Sequence, residues 1–318
     1  MTLVDNTMTR PSKTPSSPAP RRQAPPRQRG PRTPRGVLLM LLPGIVILVV
    51  FFGIPIVDLI RTSLSDWSGI GDATFIGFDN YTKVVTDPEV VAALLRSVAL
   101  GVGASVGICA IATVLAALIS GNLRGGSVYR VLWFLPAIAP PTAVAVFWAL
   151  AVQPRSGAVN AFLGAIGLGD THAWLADPNT ALFVIIGVAI WQGVGFAFLV
   201  LLGAMEDVPV AVYEAASIDG ASRIRAFFSI TLPMIRPVLS MVILLEVIWA
   251  FNGFTLVWGM TQGGPGNSTT ILPVQVYKDA FLFGDFGTAA AVSVVGGILL
   301  LVVGIVGQSL GSKKGADE

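Results

Sequence analysis

A chain of 318 residues that is 54% hydrophobic and only 12% charged holds about half the charge usual in soluble domains, which excludes an ordinary soluble fold. The net charge of +2 is small, so only its placement informs. A single cysteine, Cys109, inside an apolar run excludes a disulfide framework or a cysteine metal site within the chain, and a single histidine, His172, excludes any site needing two.

Residues 1–36 hold eight Lys or Arg against one acid, many Pro and Ser, and no apolar run. Such a segment cannot bury enough surface to offset its ordering entropy, and it reads as a disordered basic tail. The apolar stretch after it is longer than a signal-peptide core and lacks a small-residue cleavage site, so a cleaved signal is not expected.

Six apolar segments follow, near Val37–Ile60, Ser97–Ile119, Val128–Val152, Ala181–Met205, Pro237–Trp258 and Phe286–Leu310. Each is long enough for the roughly 20 helical residues needed to cross hydrocarbon. Continuous apolar character excludes barrel strands, which alternate, and helices remain because they pair every backbone group internally. The fold class is therefore an all-α polytopic membrane protein with six transmembrane helices over 37–310, flanked by a basic tail over 1–36 and a short tail over 311–318. Pro43 and Pro55 interrupt the first span, and Pro136, Pro140 and Pro141 break the third. Gly103 with Gly107, and Gly296–Gly297 with Gly304, read as close helix approaches.

Lys and Arg set the orientation. Fifteen lie in the N-terminal tail, the loops around Arg124 and Arg130 and around Arg223, Arg225 and Arg236, and the C-terminal tail; the other face has five, Arg61, Lys83, Arg96, Arg155 and Lys278. Both termini are expected to be cytoplasmic, with three acidic-leaning loops outside.

The inner loop over 206–236 reads as two short helices and a turn. Asp207 is expected to cap the first, with Pro209 in its opening turn and a helix-forming run from Ala211 to Ile218. Asp219-Gly220 breaks the run, and an amphipathic turn from Ala221 to Ile230 ends before Pro233. The Ala- and Phe-bearing knob this makes is apolar surface in search of a partner.

Glu214-Ala215-Ala216, then Gly220, then Ile230, Leu232 and Pro233 resembles the "EAA" loop of binding-protein-dependent ABC importer permeases. The spacing is that family's: EAA, three residues, Gly, nine residues, Ile-x-Leu-Pro. Three outer-loop motifs resemble its carbohydrate-uptake branch: Phe75-Ile-Gly77-Phe-Asp-Asn80-Tyr81, Trp174-Leu-Ala-Asp177-Pro178 after Asn160 to Leu168, and Thr261-Gln-Gly263-Gly264-Pro265. Tyr277 to Phe281 and Ala289 to Ala291 also fit. The maltose-type large subunit is similar, but the six spans and the lack of a large outer domain here are nearer the compact permeases of oligosaccharide or glycerol-phosphate systems.

The resemblance implies a type I ABC importer permease fold in a bacterial inner membrane. It also implies a partner set: a second permease subunit forming a heterodimer, a cytoplasmic ATPase dimer that takes the loop residues Glu214, Ala215, Ala216, Asp219, Gly220, Ile230, Leu232 and Pro233, and an extracytoplasmic solute-binding protein. ATP and Mg would be bound by the ATPase, since this chain has no Gly-x-x-x-x-Gly-Lys-Ser/Thr loop. No cofactor, catalytic residue, metal or nucleic-acid partner is expected of this chain, which is not expected to be an enzyme.

A sugar path needs hydrogen-bonding groups and aromatic faces. Trp191, Gln192, Gly193 and Phe196 supply them from the fourth span, and Glu246, Trp249, Phe251 and Asn252 from the fifth. At 100° per residue Glu246, Trp249 and Gly253 share a broad stripe with Asn252 at its edge. By resemblance, Gln192, Gly193, Phe196 and the Asn252 region line the path, whereas Ala189 replaces a polar residue of the maltose-type relative. A carboxyl deep in a span costs roughly 2.5–3.5 kcal/mol on insertion scales, so Glu246 faces a translocation path or the partner permease. The alternatives are an ion-gradient-driven carrier using Glu246, which would commonly show inverted repeats, and glycerol-phosphate as cargo. With its only histidine in an outer loop, the chain cannot form a membrane-buried Ser–His pair. Asn267-Ser-Thr269 matches a glycosylation sequon.

Overall fold

The computed structural model describes residues 35–120, 125–169 and 171–312. The basic segment expected over 1–36 and the tail expected over 311–318 lie outside the described residues, except where the first helix begins at Arg35 and the last ends at Ser312. The described residues fall into two compact units, one ending at Phe52 and one beginning at Gly53. The first contributes α1 (Arg35–Leu48), with Pro43 inside it, and most of a π-helical turn (Val49–Gly53).

The second unit opens with α2 (Ile54–Ser63), the antiparallel pair β1 (Ser65–Asp66) and β2 (Thr74–Phe75), and α3 (Asp79–Thr86). Next is α4 (Pro88–Ile119), which starts well before the expected Ser97. The cause is local: the Asp87 carboxylate accepts the Glu89 N–H at 2.8 Å, and Pro88 fits the first turn, where no N–H is needed.

The third span is broken where its prolines stand. Helix α5 (Gly126–Ile138) meets α6 (Pro141–Ala151) at 93°. After α7 (Ala158–Ala165) comes the long α8 (Ala181–Glu206). The loop over 206–236 forms α9 (Val210–Ile218), α10 (Arg223–Ala226), a π-helical turn (Phe227–Thr231) and α11 (Leu232–Met234), and leads into α12 (Arg236–Phe251).

The fifth span was expected as one helix from Pro237 to Trp258, but it breaks without a proline. Helix α12 stops at Phe251 and α13 (Phe254–Thr261) restarts after Asn252-Gly253. The Asn252 amide donates to Ile248 O at 2.9 Å, a carbonyl that also takes the Asn252 backbone N–H, so the side chain competes with the helix ladder. At 16 residues α12 covers about 24 Å, short of the hydrocarbon thickness. Finally α14 (Leu272–Tyr277), a π-helical turn (Lys278–Leu282) and α15 (Phe286–Ser312) close the chain. Among the described residues, four helical stretches are long and apolar enough to cross a membrane, and counting each of two bent pairs, α5–α6 and residues 223–234 with α12, as one span brings the number to six.

Helix α4 is the hub, packed along α8 and α12, while α15 packs against α2, α12 and α14. Leu100, Ile185, Phe198, Leu201, Val242 and Val257 are fully buried between them. Gly103 and Gly107 admit Ile186 and Ile190 of α8 as expected, and a Cβ at Gly296 would stand 3.5 Å from Leu272 Cδ1, but nothing among the described residues lies within 4 Å of a Cβ placed at Gly297 or Gly304. On the outside, Val106, Leu118, Leu135, Leu301 and Ile305 are each at least 60% exposed, apolar surface that fits lipid.

The motif asparagines of three loops act as staples. Buried Asn80 donates to Ser63 O at 3.0 Å and Ser65 O at 2.9 Å, joining α3 to the end of α2. Buried Asn160 donates to His172 O at 2.8 Å and accepts the Trp174 indole N–H at 2.7 Å. Asn267, in the sequon, accepts the Lys278 ammonium at 2.8 Å and donates to Glu89 at 3.2 Å. These side chains are occupied in holding loops to helix ends.

Candidate functional site

Two features stand out, a cavity at the helix breaks and the loop between α8 and α12. The cavity has a volume of about 380 Å³ and is walled by α4, α5, α8, α12 and the start of α13. On α4, Leu100, Ala104 and Ile108 recur every four residues and give an apolar wall. Opposite, Gln192, Gly193 and Phe196 come from α8, and Glu246, Trp249 and Asn252 from α12 and its break.

The structure brings those six sequence-selected residues together and leaves two out. Trp191 is turned off the cavity face, 5.5 Å edge-on from Trp148. Phe251 is buried with Val84, Ala93 and Val292, on the side of α12 facing α4 and α15. Each lies one residue, about 100° of helix, from a lining neighbour. Phe134, Gly253 and Thr255 also line the space, and Phe134 and Thr255 escaped sequence reasoning because only the helix breaks bring them in.

Each polar group has a defined setting. The Gln192 amide N–H donates at 3.1 Å to Ala139 O, a carbonyl freed by the α5–α6 bend. Its own Oε1 is left for the cavity. Glu246 is 3% exposed, and its Oε1 has no hydrogen-bond partner among the described residues. Gly193 makes the space for it: a Cβ there would stand 2.5 Å from Ile108 Cδ1 and 3.3 Å from Glu246 Oε2. Phe196 and Trp249 meet at 5.0 Å and 65°, joining α8 to α12 with an aromatic edge.

In the loop, α9 carries Glu214, Ala215 and Ala216 and ends in a Schellman motif. Ala221 N–H bonds Ala216 O at 2.9 Å and Gly220 N–H bonds Ser217 O at 3.1 Å, with Gly220 at φ +75°. The interval from Ala216 to Gly220 is thus the interval from the last turn to its left-handed cap. Two local expectations fail. Asp207 is the C-cap of α8 rather than the N-cap of α9, whose N-cap is Pro209 with no side-chain bond. The chain also runs helically past Ile230 through the π-turn, with Pro233 inside α11, because a proline early in a helical turn needs no N–H.

Ser222, not singled out from sequence, caps α10 by accepting the Arg225 N–H at 3.3 Å. The two arms are tied by Tyr213 and Thr231, whose hydroxyls lie 2.9 Å apart. Beneath them, Val208 and Ile235 are buried in the bundle core. Outside, Ile218, Ile224 and Phe228 are 86%, 73% and 62% exposed, beside exposed Glu214. Arg130 pairs with Glu206, linking the start of α5 to the end of α8.

A cavity enclosed by broken spans and walled by apolar, aromatic and amide groups suits passage of a polar solute, and the fold defines a membrane transport component. The chain belongs to the family of binding-protein-dependent transport system inner membrane components, whose model matches residues 91–312. That membership sets aside the ion-gradient carrier.

Among curated relatives, a probable ABC transporter permease of Brucella abortus is 35% identical over 269 residues, 84% of this chain and 93% of its own. A diacetylchitobiose uptake system permease of Streptomyces coelicolor is 35% identical, covering 80% of this chain and 76% of its own. An sn-glycerol-3-phosphate transport system permease of Yersinia enterocolitica is 31% identical, covering 84% and 90%. In fold, the chain is similar to a crystal structure of a bacterial ABC transporter for the acidic polysaccharide alginate, with a TM-score of 0.77 at 22% identity over 88% of this chain and 96% of that one.

Proposed function

We propose that this chain is the permease subunit of an ATP-driven importer of di- or oligosaccharides in a bacterial inner membrane. Residues 37–310 would form the permease body, with both termini and the loop over 206–236 in the cytoplasm. The observation that carries the reading is the loop itself, an exposed apolar helix pair with Glu214 on α9 and a Gly220 cap. Exposed apolar surface braced from below by buried Val208 and Ile235 suits docking on another protein.

In this reading the partner is an ATPase dimer that binds ATP and Mg, and this chain holds no cofactor. Closure of that dimer pushes on α9, and the force passes through α8 and α12 to the cavity walls. A second permease subunit faces the cavity, and an outer solute-binding protein delivers cargo. The relatives for diacetylchitobiose and the aromatic pair Phe196–Trp249 support a saccharide; the relatives for sn-glycerol-3-phosphate support glycerol-phosphate as the second reading.

The test is co-purification of the tagged chain from its native membrane. An ATPase subunit is expected in the wild-type complex and should be lost from Gly220→Val and from Glu214→Lys. Retention by both variants, or no ATPase in the wild-type preparation, would defeat the assignment.

A further inference from the structure

The cavity is lined by one ionisable side chain, and its chemistry discriminates between the two cargo classes of the relatives. Glu246 is buried, its Oε1 is unpartnered, and no Lys, Arg or His lines the space among the described residues. The two amides add neutral polar groups. Gln192 spends one N–H on Ala139 O and Asn252 spends one on Ile248 O, which leaves each amide one N–H and its carbonyl oxygen for a solute. The space therefore offers three acceptors, Glu246 Oε1, Gln192 Oε1 and the Asn252 carbonyl, and no positive charge among the described residues.

The anionic group of a phosphate or uronate finds no cation in this lining, and beside the Glu246 carboxylate it adds repulsion at low dielectric. A hydroxyl or acetamido N–H donates to each of the three acceptors and satisfies them. Apolar sugar faces match Trp249 and Phe196.

Building on the saccharide reading above, we propose that Glu246 is a specificity-determining residue that admits uncharged, hydroxyl-rich saccharides and rejects anionic ones. Glycerol-phosphate and acidic oligosaccharides are excluded as cargo, although related permeases serve them. Gly193 is the positioning residue, because a side chain there would press on Ile108 and stand 3.3 Å from the Glu246 carboxyl, displacing it.

The experiment is saturation-transfer NMR on the whole complex in nanodiscs without binding protein, so that only the membrane cavity selects. The probes are maltose, N,N′-diacetylchitobiose, digalacturonate and sn-glycerol-3-phosphate. A neutral disaccharide should bind wild type, and its signal should vanish in Trp249→Ala. Glu246→Ala should weaken it about tenfold, while Glu246→Gln, which keeps an acceptor and the shape, should stay within about threefold and newly admit an anion. Equal binding of neutral and anionic probes to wild type, or no gain of anion binding in Glu246→Gln, overturns this proposal and leaves the saccharide reading intact. Binding of none of the disaccharides by wild type, with sn-glycerol-3-phosphate bound instead, overturns both.

Discussion

Four glycines of α8 provide a graded test of the packing that makes the cavity. Nothing among the described residues lies within 4 Å of a Cβ placed at Gly187 or Gly203, so alanine there should gain about 0.5–1 kcal/mol by restricting the unfolded chain. At Gly193 the methyl meets the far end of Ile108, which can turn away, and overpacking of this kind costs about 1–3 kcal/mol. At Gly195 it meets backbone, the Trp133 carbonyl and Phe134 Cα, so α5 itself must move and the cost should reach about 3 kcal/mol or more. Thermal unfolding of the purified chain in nanodiscs reads the series at about 2–4 °C per kcal/mol. Gly187→Ala and Gly203→Ala should hold or rise, Gly193→Ala should fall slightly, and Gly195→Ala should fall by about 6 °C or more. Uptake should drop about tenfold in Gly193→Ala alone among the stable variants. A Gly195→Ala protein as stable as wild type would refute this packing.

Three further outcomes are expected. Gly220→Val forces a β-branched residue to φ +75°, which costs about 1–2 kcal/mol locally, and should release the ATPase and abolish uptake while ligand binding in the cavity persists. Asn80→Leu leaves two carbonyls at the end of α2 without their side-chain donor, at about 1–3 kcal/mol each, and a melt in nanodiscs should show the loss. Burial, with Asp285 and Asp87 nearby and against a bond from Gln275, pushes Asp279, in the turn before α15, up to about 6 from 3.8. The folded state then binds more protons than the unfolded between about pH 4 and 6, so this group's contribution to stability is lost as pH rises through that window. Asp279→Asn should melt higher than wild type at pH 7.5 and flatten the fall in between; an unchanged pH profile would contradict the burial argument.

Much of the architecture was legible because its causes are local. Prolines 136, 140 and 141 announced the 93° bend, and Asp219-Gly220 announced the end of α9. The break at Asn252 was not, because the apolar run continues through Phe254 to Trp258 and one asparagine chooses between helix and its own side-chain bond only in context. That break decides the site: a straight fifth span gives the stripe of Glu246, Trp249 and Gly253, whereas the broken one also brings in Thr255. Trp191 and Phe251 show the resolution of reading by residue type, since a single helical step turns an aromatic from the cavity to another neighbour. The long start of α4 was present in Asp87-Pro88-Glu89, but polar residues ahead of an apolar run were read as loop.

The central claim is that cargo moves because a separate ATPase pushes on the loop between α8 and α12. Its most direct test is uptake into proteoliposomes of the assembled complex with loaded binding protein outside. With ATP and Mg sealed inside, saccharide should accumulate, and vesicles made with the Gly220→Val chain, which loses the ATPase, should not take it up. Accumulation without ATP, driven by an imposed proton or sodium gradient, would contradict the account.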